Sequence, residues 1–198
     1  MMLREWLEPW LDIDSNLNVL GLSLNSHEIT QGDVFIALNG AKQHGLTYAN
    51  QAIENGAVAV LFDSQDAHIA EKYFDTFHIL AIGISNLPQN LGEMASRFYR
   101  YPSQAMAVIG ITGTNGKTSC SQFLSQMLVH CAFIGTLGWG TSSQLNKTLN
   151  TTPDALAIQK ILATLNNTNS QFVAMEVSSH GLAQGRVNGV QFKGAVFT

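Results

Sequence analysis

Short apolar runs alternate with amphipathic segments along the first half of the chain. Runs rich in aliphatic and β-branched side chains, each bounded by turn residues, predict strands at 32–38, 57–62 and 78–82. Segments with a helical pattern predict helices at 48–55, 65–73 and 87–99, the last with its apolar side chains on one face. Gly56 follows the first of these helices and is typical of a helix end. Strands that alternate with helices in this way indicate a small α/β domain.

The same alternation resumes after a helix-breaking segment, Arg100-Tyr101-Pro102-Ser103. Further strands are predicted at 106–111, 132–134, 172–177 and 194–198, and further helices at about 117–129 and 153–165. We place a domain boundary at the breaking segment, which gives domains over 1–103 and 104–198. Because the second domain stops on a strand, with no residues for the ligand-bearing edge of its sheet, we expect the chain to be the N-terminal part of a longer protein.

The composition excludes several classes of protein. Charged residues make up 12% of the 198 residues, well below the usual ~25%, which argues against a disordered chain or a coiled coil. The sequence has no run of 18 apolar residues and no signal-peptide pattern, so we expect a cytoplasmic protein without a membrane segment. Cys120 and Cys131 are too few for a disulfide framework or a zinc site, and we expect both to be reduced.

The net charge of −4 is unevenly distributed. Residues 1–104 hold 5 Lys and Arg against 12 Asp and Glu, a net −7, whereas residues 105–198 hold 5 against 2, a net +3. The mildly basic second part suits small anionic ligands such as phosphates. Because it lacks clustered Lys and Arg, we expect no nucleic-acid partner.

The strongest chemical signal is a glycine-rich turn between a predicted strand and a predicted helix, at 109–119. In this context glycines let backbone N–H groups form a concave anion site, and the helix N-terminus adds partial positive charge. Lys117 is predicted to reach the β- and γ-phosphates of a nucleotide, and the Thr118 hydroxyl to ligate Mg²⁺. The strict motif has glycine at position 111, where this chain has Ile111. The sequence therefore predicts a variant phosphate-binding loop.

A second set of polar residues follows two later elements. Asn150-Thr151-Thr152-Pro153-Asp154 opens a predicted helix, and Thr152 is its predicted N-cap. Glu176 lies near the carboxyl end of an apolar strand, where a carboxylate needs a partner or a metal ion, so we assign it to the magnesium shell. The Ser-Ser-His run after it lacks the nucleophile-elbow motif of a serine hydrolase. Arg186 has a planar head group that suits a phosphate or a carboxylate.

These motifs resemble those of one enzyme family. Gly113-Thr114-Asn115-Gly116-Lys117-Thr118 resembles the ATP loop of the Mur ligases and of their folylpolyglutamate synthetase relatives. The segments 150–154, 175–182 and 184–186 resemble motifs of the Mur ligases that add the third residue of the peptidoglycan stem peptide. The segments 24–27 and 32–40 resemble the UDP-binding domain of the same enzymes, although Asn25-Ser26-His27 replaces the usual Asp-Ser-Arg, and His44-Gly45 the usual Asp-Gly. The resemblance extends over essentially the whole chain.

The resemblance implies roles for several sets of residues. The ATP loop would consist of Gly113, Thr114, Asn115, Gly116, Lys117, Thr118 and Ser119. The uridine diphosphate would be held by Leu24, Ser26, Ala41, Lys42 and Gln43. The muramoyl-dipeptide part and its phosphates would be held by Asn150, Thr151, Thr152, Ser178, Gln184 and Arg186. Lys117 and Glu176 would act in catalysis, and Thr118 and Glu176 would ligate the magnesium ion.

The resemblance also implies a fold and an activity. The fold would be a small α/β UDP-binding domain followed by an incomplete P-loop domain, Rossmann-like, with a mostly parallel sheet. ATP would phosphorylate the D-glutamate carboxylate of UDP-N-acetylmuramoyl-L-alanyl-D-glutamate, and the amine of diaminopimelate or lysine would attack the acyl phosphate. Since the family's remaining domains would follow Thr198, we expect no ligation by residues 1–198 alone. The alternatives are another ligase of this family, a P-loop kinase or GTPase, and a non-catalytic UDP-sugar-binding module.

Overall fold

A computed structural model describes residues 1–40, 42–74, 78–141, 144–148 and 150–198. The chain forms two compact units, Met1–Asn90 and Leu91–Thr198. The division predicted from the sequence lies later, after residue 103, and the assignment of the two domains stays a prediction. In the described residues, no helix combines the length and the hydrophobicity that crossing a bilayer requires.

The first unit is built on a parallel sheet of four strands. The strands are β1 (Gly21–Ser23), β2 (Asp33–Ala37), β3 (Ala59–Asp63) and β4 (Leu80–Ile84). They lie in the order β1-β2-β3-β4, and every neighbouring pair is parallel. Every residue of β2 and β3 is buried, which is why these two strands appear in the sequence as continuous apolar runs.

Helices flank this sheet and complete its core. They are α1 (Leu3–Leu7), α2 (Ala49–Glu54) and α3 (Ala67–Phe74), and α4 (Leu87–Phe98) begins in the first unit and ends in the second. Phe35 and Val60 of the sheet pack with Leu46 and Ala52. Gly56 takes the left-handed conformation just after α2, with φ of 108°, so the helix end predicted there is confirmed.

The second unit contains a mixed sheet of six strands. The strands are β5 (Ala107–Thr112), β6 (Cys131–Gly135), β7 (Gly138–Thr141), β8 (Gln144–Asn146), β9 (Phe172–Glu176) and β10 (Phe192–Phe197). They lie in the order β10-β5-β9-β6-β7-β8, with β10, β5, β9 and β6 parallel and β7 and β8 antiparallel. The α/β fold class is confirmed. The carboxyl ends of β5, β9 and β6 meet at one edge of the sheet, the place where parallel sheets bind ligands.

The α-helices that begin in the second unit, among the described residues, are α5 (Lys117–Met127), α6 (Ala155–Asn167) and α7 (Ser179–Ala183). Buried side chains of α6, Ile158 and Leu162 among them, pack with Val173 of β9 in the core. The prediction that Thr152 caps α6 is wrong. Asp154 is the N-cap, and its carboxylate accepts a 2.8 Å hydrogen bond from the backbone N–H of Ala157, so α6 begins after Pro153 and the Thr152 hydroxyl bonds elsewhere.

A close backbone contact inside the second unit makes Gly92 sensitive to substitution. A Cβ atom at Gly92 would lie 2.1 Å from the backbone oxygen of Asn188, so Gly92→Ala must displace this loop or α4. We expect the free energy of unfolding to fall by about 1–3 kcal/mol, as measured by urea denaturation followed by circular dichroism. Gly194→Ala is the matched control, since nothing lies within 4 Å of its added Cβ. Alanine in place of an exposed helical glycine normally stabilises a protein. If Gly92→Ala were more stable than wild type, the close contact with Asn188 would be contradicted.

The two cysteines differ in their exposure to solvent. Both are free thiols; Cys131 is buried beside Ile111 and Ala174, whereas Cys120 is half-buried. Burial raises the pKa of the Cys131 thiol, and a backbone hydrogen bond with Ala174 offsets only part of the rise.

We therefore expect Cys131 to react more slowly than Cys120 with iodoacetamide in the native protein, because only the thiolate is nucleophilic. The difference between the two reaction rates should become smaller as pH rises toward the raised pKa of Cys131, and it should disappear in denaturing urea. Mass spectrometry of timed, quenched samples measures both rates, and Cys120→Ser isolates the Cys131 signal. Equal native rates at neutral pH would contradict the burial of Cys131.

Candidate active site

The predicted phosphate loop connects the end of β5 to the start of α5. Gly113 and Gly116 have φ of 141° and 80°, conformations that residues with side chains rarely adopt. Gly116 is the N-cap of α5; in the described residues no side chain caps this helix, and its first turn has no acidic residue. The N-terminus of this 11-residue helix therefore suits an anion.

The departure from the strict loop motif has a structural cause. Ile111 is still part of β5, is 0% exposed, and packs in a cluster with Cys131 and Ala174. The turn begins only at Gly113, so position 111 needs a core side chain rather than a glycine.

Lys117 is the first residue of α5 and closes the loop. Its half-buried side chain folds back so that Nζ donates a 2.8 Å hydrogen bond to the backbone oxygen of Gly113. The ammonium group therefore lies beside the turn formed by the two glycines, where it adds positive charge to the exposed backbone N–H groups.

Glu176, the last residue of β9, is fully buried and is held by neutral donors. The Thr118 hydroxyl donates to its Oε2 at 2.9 Å, and the Thr136 hydroxyl donates to the same oxygen at 3.2 Å. The backbone N–H of Thr136 donates to Oε1 at 3.0 Å. Across the part of the chain that the structure describes, no Lys, Arg or His side chain forms an ion pair with this carboxylate. Its negative charge is thus available to a cation in the cleft.

The loop and the carboxylate face one cleft of about 270 Å³. Its lining residues are Thr114, Asn115, Gly116, Lys117, Thr118, Ser119, Thr136, Thr151 and Glu176. The structure therefore brings together the predicted ATP loop, the predicted metal ligands and one residue of the predicted substrate set, Thr151.

The oxygen atoms of this cleft fit a magnesium ion. Since the Thr118 hydroxyl donates its proton to Glu176, its lone pairs remain for a cation. Magnesium is commonly held by one or two protein oxygens together with substrate phosphates and water. The cleft offers such a small set of protein oxygens, those of Thr118 and Glu176. The described residues contain no cluster of three His, Cys, Asp or Glu that could hold a metal alone.

A second group of predicted substrate residues forms one hydrogen-bonded chain next to Glu176. The Thr152 hydroxyl lies 3.1 Å from the backbone oxygen of Glu176 and accepts the backbone N–H of Ser178 at 3.0 Å. Arg186 donates from Nη1 to the backbone oxygen of Thr152 at 2.7 Å and from Nε to Gln184 Oε1 at 2.8 Å. The end of β9, the start of α6 and the segment after α7 are thereby tied together.

Asn150 does not join these residues. It is exposed and is absent from the lining of the cleft, and its backbone N–H bonds to the hydroxyl of Thr148 at 3.4 Å. Its predicted contact with substrate stays a prediction.

The predicted uridine diphosphate residues lie in the first unit. Ser26 is buried, and its hydroxyl donates to Gln51 Oε1 at 2.7 Å. Lys42 and Gln43 are exposed, and the Gln43 amide bonds to the Tyr48 hydroxyl. Leu24 is half-buried. Ala41 lies outside the described residues. The roles assigned to these residues stay predictions.

Comparison with known families agrees with the motifs in the cleft. The profile of the Mur ligase middle domain matches residues 111–198, and that of the Mur ligase family catalytic domain matches residues 18–99. The chain belongs to the Mur ligase family. The resemblance inferred from the phosphate loop and from Glu176 is thereby confirmed.

Two Mur ligases show how much of such an enzyme the chain represents. The UDP-N-acetylmuramoyl-L-alanyl-D-glutamate--2,6-diaminopimelate ligase of Alkalilimnicola ehrlichii is 43% identical over 208 residues, a match that covers 100% of this chain and 42% of the relative. The ligase of the same name from Coxiella burnetii is 41% identical over 192 residues, a match that covers 94% of this chain and 38% of the relative. The chain therefore spans about 40% of the length of the curated relatives it matches.

Solved Mur ligase structures agree with the fold. A structure of UDP-N-acetylmuramoyl-L-alanyl-D-glutamate--2,6-diaminopimelate ligase superposes with a TM-score of 0.75 at 30% identity, covering 100% of this chain and 40% of that one. MurF from Acinetobacter baumannii superposes with a TM-score of 0.65 at 18% identity, covering 99% and 40%. The second similarity concerns the fold alone.

Sequence reasoning missed Thr136, although it donates two hydrogen bonds to the Glu176 carboxylate and Thr118 donates one. It lies 40 positions from Glu176 in the chain and belongs to no recognised motif. It is placed there by the pairing of β6 with β9, which brings the residue after β6 to the end of β9. Thr136 could have been found by predicting the order of the strands in the sheet, but not by searching for motifs.

Proposed function

We propose that this chain supplies the nucleotide-binding and UDP-substrate-binding part of an ATP-dependent ligase that adds diaminopimelate to UDP-N-acetylmuramoyl-L-alanyl-D-glutamate. The sequence leaves diaminopimelate and lysine open, and the names of the similar relatives favour diaminopimelate. The observation that carries the proposal is the single cleft in which the phosphate loop meets Glu176 and Thr151. A nucleotide, a metal ion and an acidic acceptor need to meet at such a place.

The nucleotide would bind through its phosphates. The open backbone N–H groups at the start of α5 and the ammonium of Lys117 would hold the β- and γ-phosphates. Magnesium, when bound, would neutralise phosphate charge, with Thr118 and Glu176 as its protein ligands or as partners of its bound water. The hydrogen bond from Lys117 to the backbone oxygen of Gly113 would keep the ammonium group in position.

The ligase reaction would proceed in two steps within this cleft. The D-glutamate carboxylate attacks the γ-phosphorus of ATP, forming an acyl phosphate and releasing ADP. The amine of the incoming amino acid then attacks the acyl carbon, inorganic phosphate leaves, and an amide forms. Lys117 would stabilise the charge that develops on the transferred phosphoryl group.

The remaining predicted residues would hold the UDP-linked substrate. We assign Thr151, Thr152, Ser178, Gln184 and Arg186 to the muramoyl-dipeptide part and its phosphates, together with Asn150. The hydrogen bonds of Thr152 with Ser178 and Arg186 support this, because they fix polar groups next to Glu176. Leu24, Ser26, Lys42 and Gln43 would hold the uridine diphosphate.

Calorimetric titration of the 198-residue chain tests the proposal. We expect binding of one non-hydrolysable ATP analogue, strengthened by magnesium, and of one UDP-N-acetylmuramoyl-L-alanyl-D-glutamate. Binding of a nucleotide without binding of the UDP-linked compound would instead indicate a P-loop kinase or GTPase. If the chain bound the UDP-linked compound but not the ATP analogue, it would be a UDP-sugar-binding module. If it bound neither ligand, the proposal would be rejected.

A further inference from the structure

Thr136 occupies the short turn between β6 and β7 and is exposed to the cleft. It contacts Glu176 twice, through its backbone N–H to Oε1 and through its hydroxyl to Oε2. Its hydroxyl also lies 3.1 Å from the hydroxyl of Thr151. One residue therefore touches both the predicted metal carboxylate and a predicted substrate residue.

The direction of these hydrogen bonds follows from the groups involved. An ionised carboxylate only accepts hydrogen bonds, so the single hydroxyl proton of Thr136 points to Glu176. The contact with Thr151 must then use the proton of the Thr151 hydroxyl. The resulting chain runs from Thr151 through Thr136 to Glu176, and it leaves the lone pairs of Thr151 for a ligand in the cleft.

Close packing fixes the Glu176 end of this chain. A Cβ atom at Gly135 would lie 2.2 Å from Glu176 Oε1, so only glycine lets the carboxylate approach the turn. Thr118 of the phosphate loop donates to the same oxygen, Oε2, as Thr136. Glu176 is thus shared between the loop that would hold a nucleotide and the turn that contacts Thr151.

We propose that Thr136 is a positioning residue that couples the two binding sites of the cleft. It orients Glu176 toward the magnesium ion of the nucleotide and Thr151 toward the UDP-linked substrate, through one hydroxyl. The inference rests on the proposed function. Partners of a metal ligand that orient it without touching the metal commonly change metal affinity about 10–100-fold when they are removed. Coupling between sites must be reciprocal, so each ligand tightens the other by the same factor.

The test compares Thr136→Val, which keeps the shape but removes the hydroxyl, with Thr136→Ser, which keeps the hydroxyl. The 198-residue chain is titrated calorimetrically with a non-hydrolysable ATP analogue in magnesium or in EDTA, with and without saturating UDP-N-acetylmuramoyl-L-alanyl-D-glutamate. We expect the UDP-linked compound to tighten nucleotide binding by wild type about fivefold or more. In Thr136→Val that factor should fall to about one, and nucleotide affinity in magnesium should fall about tenfold, whereas affinity in EDTA stays unchanged. Thr136→Ser should restore both properties.

The controls separate positioning from folding and from the proposed function. Thr164→Val removes an exposed hydroxyl on α6, whose partner is the backbone oxygen of Lys160, and should leave the coupling intact. Equal loss of affinity in magnesium and in EDTA would mean that Thr136 only supports the fold, and the inference would be wrong. Wild type that binds both ligands without coupling would also overturn it while the proposed function stands. Wild type that binds neither ligand would reject both.

Discussion

Lys117→Ala is expected to weaken binding of an ATP analogue in magnesium by about 10–100-fold, because it removes a charge-assisted hydrogen bond to phosphate worth about 1.5–3 kcal/mol. The fold should tolerate the change. The half-buried ammonium makes one described hydrogen bond, to the backbone oxygen of Gly113, and glycine rather than lysine sets the shape of the loop. Calorimetry gives the affinity, and thermal unfolding followed by circular dichroism checks the fold.

The matched control for this variant is Lys160→Ala, which removes the same charge from an exposed position on α6. It should change nucleotide affinity by less than about twofold, because exposed charges at a distance are screened by salt. Binding of UDP-N-acetylmuramoyl-L-alanyl-D-glutamate by Lys117→Ala should also be retained, since its predicted contacts are made by other residues. Loss of both ligands together would contradict the division into a nucleotide site and a UDP-linked substrate site.

The strands that could be predicted are those with a strong local signal. The apolar run at 172–177 became β9, and the run at 106–111 became β5, each within a residue or so of the predicted bounds. Both strands are central in their sheet, so burial on both faces produces a continuous apolar run that needs no knowledge of the partner strands.

The elements that were missed are short or rich in glycine. Strand β1 has only three residues and α1 only five, too few to show a period. Strand β7 reads Gly-Trp-Gly-Thr, and its two glycines disfavour a strand. The structure explains those glycines, since Cβ atoms at Gly138 and Gly140 would lie 2.2 Å and 2.1 Å from backbone oxygens of β8. This requirement comes from the partner strand and is invisible in the local sequence.

The candidate site divides in the same way. The placement of the phosphate loop, Lys117, Thr118 and Glu176 could be predicted, because each belongs to a contiguous motif, and all of them contribute to one cleft. The roles assigned to them stay predictions. The role of Thr152 was misjudged, since the same residue type can cap a helix or bond to a neighbouring strand end, and only the fold decides which. Thr136 required the order of strands in the sheet.

The second large effect is expected at Glu176, where two substitutions should separate charge from structure. Glu176→Gln keeps the size of the side chain and can still accept the backbone N–H of Thr136, while the hydroxyls of Thr118 and Thr136 can rotate to accept its amide protons. Stability should therefore stay within about 1 kcal/mol of wild type. Without the negative charge, magnesium should lose most of its effect on nucleotide affinity, a fall of about 10–100-fold in magnesium with no change in EDTA.

Glu176→Ala should lose both properties, because it removes a buried side chain together with the hydrogen bonds that its carboxylate accepts from Thr118 and Thr136. A hydrogen bond to a charged group contributes about 1.5–3 kcal/mol, so the unfolding midpoint in urea should fall together with the magnesium effect. The comparison is decisive because the two substitutions share the loss of charge and differ in the loss of hydrogen bonds. If Glu176→Gln kept the full magnesium effect, the carboxylate would be only a structural acceptor for the two threonines, and the ion would have to be held by the phosphates and Thr118 alone.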